Sequence, residues 1–148
     1  MENLERAQSF LTRARNKLEE ARRQLEHLNY AESVSAAQES AEFSVKAMFL
    51  ACGAPFPKSH EVKELRFAEL LKRIPDEVAQ VYNLPRVFLL ARFWAEFYLV
   101  AKYGYEEMNV GPDKLFKSEE AKLAVDHARE CYDASSFLFQ KVRWPRQG

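Results

Sequence analysis

Three polar side chains, Gln38, Glu42 and Lys46, step by four through an otherwise small and apolar stretch from Asn29 to Gly53. That spacing sets amide, carboxylate and ammonium in one line on one face of a helix. Such a line can receive a polar ligand or a partner's charge. It can equally be an ordinary Glu–Lys pair, which helps an exposed helix by a few tenths of a kcal/mol. His60 follows Ser59 at the expected start of a later helix, where it could move a proton or serve only local structure. Lys102 and Tyr103 stand together ahead of Gly104. They could meet a ligand, or close a helix whose C-terminal dipole suits a cation.

Other chemistries find no support in the residue spacing. Phosphate-cradling loops need several glycines between a strand and a helix, and the chain has four glycines and no strand candidate. Di-iron sites in bundles need Glu-x-x-His pairs, but Gln24, Pro57 and Ala124 stand three residues before His27, His60 and His127. Cys52, Cys131 and three scattered histidines are too few and too far apart for zinc. No metal, cofactor or nucleophilic triad is expected. The two cysteines are expected as reduced, buried thiols on separate helices.

The elements that must hold these residues read as helices throughout. Leu4, Ala7, Leu11, Ala14, Leu18, Ala21, Leu25 and Leu28 alternate steps of three and four, predicting a first helix over Glu2 to Leu28. The arginines and glutamates off that seam make a solvated face. Asn29 can cap the second helix and Gly53 can stop it, with Tyr30, Val34, Ala37, Ala41, Val45, Met48 and Cys52 facing inward. Its middle carries Ala36, Ala37, Ser40, Ala41 and Ser44, so another backbone can come close. After a proline-containing loop, Ser59 caps a third helix to about Ile74, with Val62, Leu65, Leu70, Leu71 and Ile74 inward. Pro75 opens a short helix at its favoured first position.

Leu84 to Ala101 is apolar nearly all round, interrupted only by Arg86, Arg92 and Glu96. No helix of a small bundle is enclosed on every side, so this one is expected to make a homodimer contact. Its Trp94 and phenylalanines suit core and interface better than base stacking, which usually comes with a basic groove. Lys102 to Lys117 is longer than an ordinary connection, hence functional or loosely ordered. Ser118 begins the last helix. The expected architecture is all-α, an up-and-down bundle of four main helices plus a short fifth.

Composition fits a single domain over residues 1–148, with 47% hydrophobic and 30% charged residues. Twenty-two basic residues balance twenty-two acidic ones, which argues against a protein that coats nucleic acid. No run is long enough to span a membrane. The start, M-E-N-L-E-R-A-Q, lacks the basic opening and apolar core of a signal peptide, and a cytoplasmic location is expected.

The run from Ala36 to Gly53, a short loop and then S-H-E-V-K-E-L together resemble the small prokaryotic HEPN domains. The matching positions are Gln38, Ala41, Glu42, Lys46, Ala47, Gly53, Ser59 and His60. The resemblance implies a helical bundle that commonly dimerises. It implies either a metal-independent endoribonuclease or a binding partner of small nucleotidyltransferases in toxin–antitoxin and related systems. Ribonuclease members carry an arginine followed after four to six residues by a histidine, pairing proton transfer with neutralisation of a strained phosphate. Here no histidine follows Arg66, Arg73, Arg86 or Arg92 at that spacing, and Lys102-Tyr103 stands where many members have Arg-Tyr. Arg22 and His27 have the spacing by chance, in the first helix.

The expectation is therefore a homodimeric, non-catalytic domain that binds a nucleotide or a nucleotidyltransferase. Gln38, Glu42, Lys46, His60, Lys102 and Tyr103 are its candidate contacts. The rivals are a ribonuclease with a diverged motif, in which the fold brings Lys102 and a histidine together, and a helical scaffold.

Overall fold

Ala7, Ala14 and Ala21 recur every seven residues along α1 (Glu2–Glu26), and Ser33, Ser40 and Ala47 do so along α2 (Tyr30–Ala51). All six are buried, and they set the two helices in antiparallel register. The Ser33 hydroxyl donates to the Ala21 carbonyl at 2.8 Å, and the Ser40 hydroxyl to the Ala14 carbonyl at 2.7 Å. A hydroxyl reaches a backbone oxygen of another helix only where neither side carries bulk. The small residues of the second helix thus do what their size allows.

The computed structural model describes residues 2–55 and 64–143, and among these the fold is all-α. After α2 come α3 (Glu64–Arg73), α4 (Asp76–Val81), α5 (Leu84–Ala95), α6 (Tyr98–Tyr103) and α7 (Ser118–Arg143). Two 3-10 turns, Glu106–Met108 and Pro112–Lys114, lie between α6 and α7. α2 is the central helix, packed against α1 on one side, α7 on another and α5–α6 on a third. From α7 the Ser135 hydroxyl donates to the Ser44 carbonyl at 2.7 Å, and Ser44 in turn donates to Ser40 O at 2.8 Å. Serine hydroxyls therefore pin α2 to both long neighbours. Each such bond contributes about 1 kcal/mol net.

Both ends of the α1–α2 hairpin close in the same way. Gly53 has φ +65°, its N–H donates to Leu50 O, and the Ala54 N–H donates to Phe49 O, the bond pair of a Schellman stop. Gly53 thus ends its helix as the sequence predicts. At the end of α1 the same bonds run from Leu28 to Leu25 O and from Asn29 to Gln24 O, with Leu28 at φ +62°. Leu28 was expected on the inner seam. It lies past the helix end and is 68% exposed, in a conformation that costs a side chain with a Cβ about 1–2 kcal/mol. Asn29 occupies the cap position of α2, but its side-chain amide donates to Gln24 Oε1 rather than accepting from the helix.

The expected start of α3, including Ser59, His60 and Val62, lies outside the described residues. Its inward stripe is Phe67, Leu70 and Ile74, while Leu65 is 71% exposed because two residues turn the helix by about 200°. Pro75 stands as the cap residue before α4 rather than at its first position, a one-residue difference. Asn83 caps α5, accepting from the Arg86 N–H at 3.2 Å.

The apolar segment expected as one helix is two. After Ala95 the ladder tightens, with the Phe97 N–H donating to Trp94 O, and α6 restarts with Phe97 at its cap. Neither proline nor glycine sits at this break; the Phe97 ring instead packs among Phe93, Trp94 and Phe116. The long connection after α6 is ordered rather than loose. Tyr105 and Val110 exchange backbone hydrogen bonds of 2.9 and 3.1 Å. Gly104 makes that turn possible: at φ +69°, a Cβ there would run into the Val110 carbonyl oxygen.

Candidate functional site

α2 carries Gln38, Glu42 and Lys46 in line, as their spacing requires. The Gln38 amide donates to Glu42 Oε2 at 3.5 Å, and Glu42 Oε1 pairs with the Lys46 ammonium at 3.5 Å. Lys46 Nζ also lies 5.9 Å from the ring centroids of Phe10 and Phe43, so α1 and α2 aromatics flank it. The line runs from inside to outside. Gln38 is 2% exposed, and its Oε1 has no hydrogen-bond partner among the described residues. Its neighbours explain the burial, since Ala37 belongs to the core around Trp94 and Ala41 to the core around Phe88. A buried amide oxygen left unpaired costs about 1–3 kcal/mol.

Lys102 does not join this line. Its ammonium pairs with Glu39 Oε1 at 3.2 Å and sits 4.3 Å from the Tyr98 ring centroid. Glu39 follows Gln38 in sequence but lies about 100° round the helix. The other Glu39 oxygen takes the Lys17 ammonium at 3.3 Å, and Lys17 also reaches Glu20 at 3.2 Å. One carboxylate of α2 thus ties α1 to α6. Burial pulls the Lys102 ammonium pKa down, but hydrogen bonds and charge from Tyr98 and Glu39 together leave it above its ordinary value. Lys17 behaves alike, with burial opposed and outweighed by Glu20 and Glu39. These groups border an open polar cavity of about 300 Å³, completed by Glu32, Ser35 and Pro112. No described histidine lines it. Tyr103 is 60% exposed at the end of α6, and His60 lies outside the described residues.

A second polar cluster joins α5 to α7. Arg86 grips Glu130 with two hydrogen bonds, 2.7 and 3.3 Å. One turn earlier on α7, His127 Nδ1 accepts from the buried Trp94 indole N–H at 3.0 Å. Burial lowers the His127 pKa, and the Arg86 charge lowers it further, against smaller opposing effects of Glu130 and Asp126. His127 is therefore a neutral acceptor that serves Trp94. The cysteines are inert: burial pushes Cys131 up to about 12 and the half-buried Cys52 up to about 11. Among the described residues no three His, Cys, Asp or Glu side chains gather to hold a metal, and no helix is long and apolar enough to cross a membrane.

A second opening is apolar. Phe67, Ala68 and Leu71 of α3 and Pro85, Phe88, Leu89 and Phe93 of α5 wall a groove of about 590 Å³. Glu64, Arg92 and Glu96 stand on it. Leu89 is 62% and Phe93 46% exposed.

Glu39 and Lys17, which organise the polar cavity, were not singled out from the sequence. Glu39 is one of many charged residues, and nothing local marks it as facing two other helices. The groove had a signal, the surplus of apolar residues around the α5 segment. The Trp94–His127 bond had none, with 33 residues between its partners.

Comparison with known families matches residues 7–138 to the HEPN domain. The fold is similar to the crystal structure of TT1696 from Thermus thermophilus, with a TM-score of 0.64 and 22% identity over 89% of this chain and 97% of that one. At that identity the likeness speaks for the fold alone. No curated protein matches the chain.

Proposed function

Because the chain belongs to the HEPN domain family, we propose that it works as a binding domain, through protein contacts rather than catalysis, alongside a small nucleotidyltransferase in a toxin–antitoxin-like system. One observation carries this reading: the cations of the candidate site are already engaged within the chain, whereas a large apolar groove stands open. Lys46 is held by Glu42, Lys102 and Lys17 by Glu39. The cavity beside Lys102 sets three carboxylates, Glu20, Glu32 and Glu39, against two ammonium groups. That balance repels the phosphates of a nucleotide or RNA. A protein partner needs no such site, only apolar surface with complementary charges at its margin.

The ribonuclease alternative requires a histidine beside Lys102. Among the described residues the cavity has none, and the one described histidine that contacts α5 is committed to Trp94. RNA incubated with the pure protein without metal is expected to stay intact. A nucleotidyltransferase encoded in a neighbouring reading frame is expected to co-purify with the chain. RNA cleavage that disappears in a Lys102→Ala variant would overturn the proposal.

A further inference from the structure

We infer that the Trp94–His127 hydrogen bond is a proton-sensitive latch: it fastens the end of α5 to α7 while His127 is neutral and releases it when His127 takes a proton. The bond runs from the Trp94 indole N–H to His127 Nδ1 at 3.0 Å. Nδ1 accepts only while it carries no proton; once protonated it is a donor, and two N–H groups then face each other. Trp94 is 3% exposed, so its indole cannot turn to solvent where it stands. A buried donor stripped of its acceptor is costly, and the ring gains by moving. The two ends of α5 are held differently. At its start Arg86 grips Glu130, and the Cys131 thiol lies 3.7 Å from Val87 O. At its end, among the described residues, the Trp94 bond is the only hydrogen bond to α7.

Trp94 stands where its release is felt. Its carbonyl accepts from the Phe97 N–H at the break between α5 and α6. Its ring centroid lies 5.1 Å from that of Phe93 and 5.6 Å from that of Phe97. Phe93 lines the α3–α5 groove, so the proton on His127 reaches the groove wall through two touching rings. The charges that act on His127 are Arg86 from α5 and Asp126 and Glu130 from α7 itself. α2 brings Val34 and Ala37 to the same cluster and the turn before α7 brings Phe116, none of them charged. Arg86 opposes the proton, while Asp126 and Glu130 favour it. Glu130 follows His127 by three residues, one turn on, within reach of an imidazolium on the same helix. Protonation thus offers His127 a new partner as it withdraws the acceptor from Trp94.

The test is hydrogen exchange by NMR on the full chain carrying Trp144→Phe, which leaves Trp94 as its one tryptophan. The reference is the same chain with His127→Gln, whose amide oxygen accepts from the indole at every pH. Comparing the two at equal pH cancels the intrinsic chemistry of exchange. The rate at the Trp94 indole, relative to the reference, is expected to rise at least about tenfold between about pH 8 and about pH 5.5. The backbone amides from Phe93 to Ala101 should follow it, and those of the α1–α2 hairpin should not. The midpoint of the change should move up with Arg86→Gln and down with Glu130→Gln, because those charges oppose and favour the proton. A relative rate that stays level, a midpoint that ignores both variants, or an equal rise throughout the α1–α2 hairpin would each overturn the inference. If His127→Gln fails to fold, the opposite shifts produced by Arg86→Gln and Glu130→Gln decide it alone.

Discussion

Replacing Ala14 with leucine tests the close approach of α1 and α2. Ala14 is 0% exposed, and its carbonyl receives the Ser40 hydroxyl at 2.7 Å. The larger side chain adds three carbons where α2 presents the small Ser40. Overpacking of this kind costs about 1–3 kcal/mol. If the helices part to make room, the Ser40 hydroxyl loses its acceptor, and Ser33, one heptad away, is strained with it. At about 1 kcal/mol per bond the total reaches roughly 3–5 kcal/mol. That is a large share of the roughly 5–15 kcal/mol that holds a domain together. The melting temperature should fall by about 10 °C. Ser40→Ala removes the same hydrogen bond without adding volume and should cost only about 1 kcal/mol. Urea unfolding of both variants, compared at unchanged slope, gives the two numbers. An Ala14→Leu variant no less stable than Ser40→Ala would refute the close-packed register.

Leu28→Gly relieves a side chain held at φ +62° and exposed to solvent, and should raise stability by about 1 kcal/mol in thermal unfolding. A loss would mean that Leu28 has packing value not visible in its exposure. Gly104→Ala should disrupt the Tyr105–Val110 turn, since its Cβ meets the Val110 carbonyl, and hydrogen exchange at those two amides should accelerate while α7 stays protected. The His127 pKa lies below its ordinary value of 6.5 in the folded chain, so the unfolded chain binds its proton more readily. Its contribution to stability is therefore complete above that value and declines as pH falls through the folded pKa. His127→Gln should flatten the fall in unfolding free energy on acidifying from about pH 7 to about pH 5.5, and an unchanged slope would show that His127 does not titrate with folding.

Where the sequence was informative, it was because the physics is local. Gly53 stops α2 with φ +65° because the residue type and the backbone demand coincide at one position. Leu28 shows the converse. Its spacing matches the α1 seam, but helix ends depend on two backbone hydrogen bonds that apolar spacing does not record. The candidate site was legible as far as one helix extends. Gln38, Glu42 and Lys46 share a line because four residues make about one turn. That Gln38 is its buried end followed from two cores meeting across α2.

The all-α bundle, the small-residue face of α2 and the HEPN character of the chain are properties of the amino-acid sequence alone, because period and side-chain volume act within a few residues. The tertiary structure decided which charges are free to act. It gave Lys102 to Glu39 instead of the line on α2, and bound His127 to Trp94. It also broke the apolar segment after Ala95 and left one stripe of α5 uncovered above α3. Those outcomes depend on contacts between residues tens of positions apart. Only the packed chain brings such residues within reach of one another.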